Sequence, residues 1–126
     1  MKAKLEQKDD VVVISLSGRI EMDYSEPFHH ACLKDIANRS ENLIFNLNEL
    51  SFVGSNGIMP FVKTLHELAA MKKNKIRFCE VSSEFKRIFA ASSLAAVEIF
   101  ETELKALESF KSEINLEIIE KEAASS

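Results

Sequence analysis

The chain reads as an α/β domain built on a mixed β-sheet, and three observations predict it. A β-branched run, Val11 to Ser17, is followed by short apolar runs at Leu43–Leu47, Lys75–Cys79 and around Val97–Phe100. Stretches with apolar residues at helical spacing lie between these runs. Parallel strands need a crossover long enough to hold a helix, so this alternation favours parallel pairing, with an N-terminal hairpin at one side. The predicted order is β-β-α-β-α-β-α-β-α.

Each element has a local cause. Ala3, Leu5 and Gln7 suggest a first strand, and Asp9-Asp10 makes its turn. The strand from Val11 carries outward Ser15 and Ser17 and is expected to end at Gly18. From Tyr24 to Asn38 the period changes, placing Phe28, Cys32, Leu33 and Ile36 on one helical face. Ser25 or Asp23 can cap that helix, and Pro27 fits its first turn.

Leu43-Ile44-Phe45-Asn46-Leu47 is apolar at nearly every position, as a central strand covered on both faces should be. An amphipathic helix from Ile58 to Met71 carries Ile58, Phe61, Val62, Leu65 and Ala69 on one stripe. After the strand at Lys75–Cys79, Ser82 or Ser83 opens a helix with Phe85, Ile88, Phe89 and Leu94. Thr102 caps a last helix whose inner side is expected to hold Leu104, Leu107 and Phe110. The end of the chain is ambiguous, because Ile114, Leu116 and Ile118 alternate like a strand while Phe110 and Ile114 extend a helical stripe. One domain over residues 1–112, with a C-terminal extension over 113–126, is the expected organisation.

A formal charge of −4 on 126 residues gives no general attraction for nucleic acid or anionic membrane. No stretch approaches the roughly 20 apolar residues that span a bilayer, and the first residues lack the apolar run of a signal peptide. Lys72-Lys73-Asn74-Lys75 is best explained as a solvated turn. A cytoplasmic protein with no direct nucleic-acid or membrane partner is expected. Cys32 and Cys79, each among apolar neighbours, are then buried free thiols. Most of the nine phenylalanines fall on apolar stripes; Phe28, Met59 and Phe89 are the candidates for an exposed interface anchor.

Catalytic and metal readings fare poorly. His29 and His30 are adjacent, so on a helix they diverge; His29 and Cys32 supply two ligands where tetrahedral zinc wants three or four. Glu21 and Asp23 share a face of an extended segment but lack the burial that separates two carboxyl pKa values. His66 stands alone. No nucleophile, base and orienting group emerge together, so no enzyme, metal or cofactor is expected.

The segment Leu50-Ser51-Phe52-Val53-Gly54-Ser55-Asn56-Gly57-Ile58 joins a buried strand to a helix. Such a helix mouth exposes backbone N–H groups to an anion or a partner. It is too short for a Walker A loop and lacks its Lys-Ser or Lys-Thr pair. Two glycines permitting a sharp turn, with Ser55 or Asn56 as cap, would also explain it. Pro60 limits the helix start to about Asn56 or Gly57.

Taken with its flanks, this segment resembles the STAS domains of the anti-sigma factor antagonist family. Val11 to Glu21 is similar to their opening strand and Gly-containing loop. Leu43–Leu47 followed by Leu50–Ile58 resembles their central strand and phosphorylation loop, and Ile76–Phe89 the strand and helix that follow. The resemblance spans roughly Ala3 to Phe110. It implies a mixed sheet with an N-terminal hairpin and helices packed on one side. It also implies a non-enzymatic module that binds an anti-sigma factor that is also a serine kinase, in bacterial partner switching. The usual loop reads Asp-Ser-Ser-Gly, with the second serine as phosphoacceptor. Aligning its glycine with Gly57 puts Gly54 at the aspartate, Ser55 at the first serine and Asn56 at the acceptor. An amide cannot accept a phosphoryl group, so Asn56 is the acceptor-equivalent and Ser55 a possible shifted acceptor. The expected partner surface comprises Glu21, Asp23, Tyr24, Gly54, Ser55, Asn56, Gly57 and Met59. The competing readings are a small-molecule or anion-sensing STAS module, or a structural scaffold in a signalling complex.

Overall fold

A computed structural model describes residues 1–39, 41–52, 57–71, 75–92, 94 and 97–111. The segments at Lys72–Asn74 and 113–126, read above as a turn and an extension, lie outside the described residues. Strand β1 (Lys2–Lys8) and β2 (Val11–Ile20) form the hairpin. Helix α1 (Ser25–Ala31), β3 (Asn42–Phe52), α2 (Ile58–Met71), β4 (Ile76–Cys79), α3 (Ser83–Ala90) and β5 (Glu98–Phe100) follow. A last helix, α4, occupies 103–111.

The five strands lie in the order β1-β2-β3-β4-β5, antiparallel between β1 and β2 and parallel thereafter. Each parallel strand is added on the same side of its predecessor. Right-handed crossovers then place α1, α2 and α3 on one face, as expected. Their common core joins Val12, Ile14 and Leu16 of β2 to Leu43, Phe45 and Leu47 of β3 beneath Phe61, Leu65, Phe85 and Phe89. A run of ring contacts crosses this layer, from Phe28 to Phe61 at 5.2 Å, Phe61 to Phe85 at 6.3 Å, and Phe85 to Phe52 at 4.9 Å.

The second face carries its own small cluster. Val11, Val13, Ile44 and Cys79 point there, and Ala106 and Phe110 of α4 cover them. Thr102 caps α4, its Oγ1 accepting from the Lys105 N–H at 3.1 Å. Leu104, expected on the inner side, is 65% exposed. About 100° per residue separates it from the Ala106–Phe110 stripe, which has Glu103 and Leu107 as its neighbours instead. Arg77 is buried between β4 and α4; its guanidinium lies 4.0 Å from the Phe110 ring centroid, donates to Ser109 Oγ and pairs with Glu98.

Strand lengths depart from the sequence reading in two places. Strand β2 does not stop at Gly18 but runs to Ile20, because a register shift between Ser15 and Ser17 absorbs the irregularity. Strand β3 extends to Phe52, so Leu50-Ser51-Phe52 belongs to the sheet, with Phe52 held by Phe85. The entry to α1 also differs. A 3-10 turn, Met22–Tyr24, leads into it, and neither Asp23 nor Ser25 caps it. Ser25 Oγ instead donates to the Met22 carbonyl at 2.7 Å. Beyond α1 the chain widens into a π-helical segment, Cys32–Ile36. Spacing of four drifts by about 40° per step in an α-helix. The wider turn reduces that drift, keeping Phe28, Cys32 and Ile36 on the core.

Glu103 ties α4 to the hairpin. Its carboxylate accepts from Lys8 Nζ at 2.8 Å and from Asn46 Nδ2 at 3.1 Å, and the same amide donates to Glu80 at 2.7 Å. The Lys8 hydrogen bond is the main reason that the Glu103 pKa lies below its ordinary value; the same bond raises that of Lys8. A depressed carboxyl pKa stabilises the fold above the unfolded-state value, and that contribution is lost as pH falls through the folded value. Thermal midpoints recorded from about pH 7 to about pH 3 should therefore fall less steeply for Glu103→Gln than for the wild type. Identical profiles would remove Glu103 from the account of acid stability.

Candidate functional site

The parallel pairing of β2 and β3 brings two loops together. Ile20 and Phe52 are neighbours in register, so the chain leaves both strands at the same end of the sheet. After Ile20 the backbone turns through Glu21–Tyr24, closed by a hydrogen bond from the Tyr24 N–H to the Glu21 carbonyl at 3.1 Å. At Gly57, the next described residue after Phe52, the carbonyl accepts from the Phe61 N–H at 3.1 Å and so starts α2. This start falls within the limits that Pro60 sets.

Gly57 is where the loops touch. Its φ is +80°, a left-handed value that glycine adopts without a Cβ penalty. A Cβ there would lie 2.9 Å from the Glu21 carbonyl carbon and 3.1 Å from the Met22 nitrogen. The absent side chain is therefore needed twice, for the dihedral and for close backbone approach. Around this joint the surface is unusually apolar for its exposure: Met22 is 55%, Tyr24 40% and Met59 61% accessible. Glu21 and Asp23 are also exposed.

Of the expected partner residues, Glu21, Asp23, Tyr24, Gly57 and Met59 thus gather at one end of the sheet. Gly54, Ser55 and Asn56 lie outside the described residues, between Phe52 and Gly57 in sequence. The other two suggested anchors are not on the surface. Phe28 is buried against Phe61, and Phe89 against Phe78. Both sit on stripes facing the sheet, where a large ring gains most by burial.

Sequence reasoning missed several contributors. Met22 belongs to the same turn as Glu21 and Tyr24, and its apolar side chain in a polar loop was the available signal. Pro60 and Lys63 join Met59 and Val62 with Ser92, from the chain after α3, in lining a concavity of about 540 Å³. The spacing of Met59 and Lys63, four apart on α2, places them on one side of the helix. Ser92 gives no such signal, because only tertiary packing brings it to α2.

A second, polar depression of about 380 Å³ separates α1 from α2 beside Pro60. His29 Nδ1 there lies 3.2 Å from Thr64 Oγ1 and 3.5 Å from Glu67 Oε2. His29 thus links two helices. His30 and His66 are exposed. Among the described residues no three His, Cys, Asp or Glu side chains converge to hold a metal. Cys32 and Cys79 are free and buried, and burial pushes both thiols up to about 12, which disfavours the nucleophilic thiolate. Among the described residues no helix is long and apolar enough to cross a membrane.

The sequence pattern of the STAS domain matches residues 2–106, and the chain belongs to that family. Solved structures share its fold. Bacillus SpoIIAA in its phosphorylated form, a cell fate determinant, aligns with a TM-score of 0.63 at 23% identity, over 86% of this chain and 99% of that one. An anti-sigma factor antagonist from Mycobacterium paratuberculosis gives 0.65 at 23% identity, over 86% and 92%. A point variant of Moorella thermoacetica RsbS gives 0.70 at 14% identity, over 91% and 99%.

Proposed function

We propose that this chain is a non-enzymatic protein-binding module acting as an anti-sigma factor antagonist, whose direct partner is an anti-sigma factor that is also a serine kinase. The contact of Gly57 with the Glu21–Met22 backbone carries the reading, because it joins the turn after β2 to the start of α2. Met22, Tyr24 and Met59 would supply apolar anchors, while Glu21 and Asp23 choose and steer the partner. The SpoIIAA and mycobacterial relatives are consistent with such a role. A bacterial cytoplasm is the corresponding setting. Residues 1–112 form the binding domain in this reading and 113–126 an extension to it, in keeping with a family match that ends at 106.

The regulation differs from the usual Asp-Ser-Ser-Gly loop. Gly57 starts α2 in the position of that motif's glycine, which supports Asn56 as the acceptor-equivalent residue. A neutral amide adds none of the roughly −1.5 to −2 charge by which a phosphate disrupts a contact. The module then stays competent to bind. Incubation with the cognate kinase, ATP and magnesium, followed by peptide mass spectrometry, should find Ser55 unmodified, whereas Asn56→Ser should gain one phosphate at position 56. Stoichiometric phosphate on Ser55 of the wild type would replace this reading with the shifted acceptor. Binding should also weaken in Asn56→Asp, which places a negative charge at the helix mouth.

A further inference from the structure

We propose that β1 is a self-pairing edge, through which two copies of this chain join antiparallel about Leu5 into one continuous sheet. Strand β1 ends the sheet on one side, and the opposite edge, β5, has only three residues. Lys2 to Gln7 are exposed throughout, and Leu5 is 41% accessible. In an antiparallel strand alternate residues direct N–H and C=O to opposite sides, so among the described residues this edge offers an unused ladder.

Charge fixes both the partner and the register. Opposite residues in a ladder point to the same face, so faces match only if Lys4 and Glu6, which oppose Ser15 and Val13 in the hairpin, meet residues of their own set. Centring the pair on Leu5 sets each Lys4 against Glu6 of the other copy, twice by symmetry, and Leu5 against Leu5. Centring on Lys4 would oppose two lysines at the axis. Centring on Glu6 would oppose two glutamates there and bring Lys4 against Lys8. The Leu5 register leaves like charges only at its ends, Lys2 against Lys8, where Lys8 is already engaged by Glu103 at 2.8 Å and Glu6 at 3.5 Å. Lysines on an edge ordinarily repel a foreign strand. Here the same lysine finds its counter-charge in a second copy, and the two-fold arrangement consumes the edge and stops at a dimer.

Sedimentation velocity of the whole chain over a concentration series tests this independently of the docking proposal. The wild type should show a monomer–dimer equilibrium. Lys4→Glu and Glu6→Lys each turn both cross-strand pairs repulsive and should weaken the dimer on the order of tenfold. The double variant Lys4→Glu/Glu6→Lys restores opposite pairs in reversed order and should recover the wild-type constant. Circular dichroism on each variant confirms the fold. A wild type that stays monomeric at every concentration, a dimer indifferent to the single changes, or a double variant without recovery would overturn the proposal.

Discussion

Gly57→Ala should lower the unfolding free energy by about 1–3 kcal/mol and abolish partner binding together. The stability loss has two sources. A side chain at φ +80° is strained, and the new Cβ would sit 2.9 Å from a backbone carbon of Glu21 rather than against a yielding side-chain tip. Relief requires the Glu21–Tyr24 turn and the α2 start to separate, which dismantles the joint surface. Gly18→Ala is the matching control. Its φ of +97° carries a comparable backbone penalty, but among the described residues its Cβ would meet only the chain start, 3.3 Å from Met1 Cα. Gly18→Ala should therefore cost stability and keep binding. Denaturant unfolding and calorimetric titration of both variants separate the two effects; binding retained by Gly57→Ala would contradict the joint.

Phe61→Ala should cost about 3–5 kcal/mol, the range for removing a fully buried aromatic ring. Phe61 is 1% exposed and touches the rings of both Phe28 and Phe85, so it fastens α2 to α1 and to α3. Such a loss can equal a large part of the whole stability of a domain this size. Conservative truncation to leucine fills much of the space and should cost distinctly less. Chemical denaturation midpoints compare the two. Equal and small losses would mean that neighbouring side chains collapse into the site and that the ring contacts contribute little.

The layered fold was legible because its signals are periodic. Apolar stripes set α2 at Ile58–Met71, and β-branched runs set the hairpin and central strands. Their order alone then puts α1–α3 on one face. What stayed hidden depended on neighbours remote in sequence. Arg77 looks like an ordinary charge in a short strand, and only the fold places Phe110 and Ser109 beside it. Leu104 belongs to an apolar pattern, yet Ala106, small enough for close approach of α4, decides which side packs. At the site, a glycine before a helix suggested a tight turn, but contact with Glu21 arises from parallel pairing of β2 with β3. Phe28 and Phe89 read as candidate surface anchors in the sequence because composition cannot tell which ring lies outermost.

Backbone amide shifts recorded during titration with the anti-sigma kinase proposed as its partner address the docking surface most directly. The perturbed set should comprise Glu21 through Tyr24 and Gly57 through Met59, with β5 and α4 unchanged. Shifts confined to α4 or to the β5 edge, with that pair of loops silent, would place the partner elsewhere.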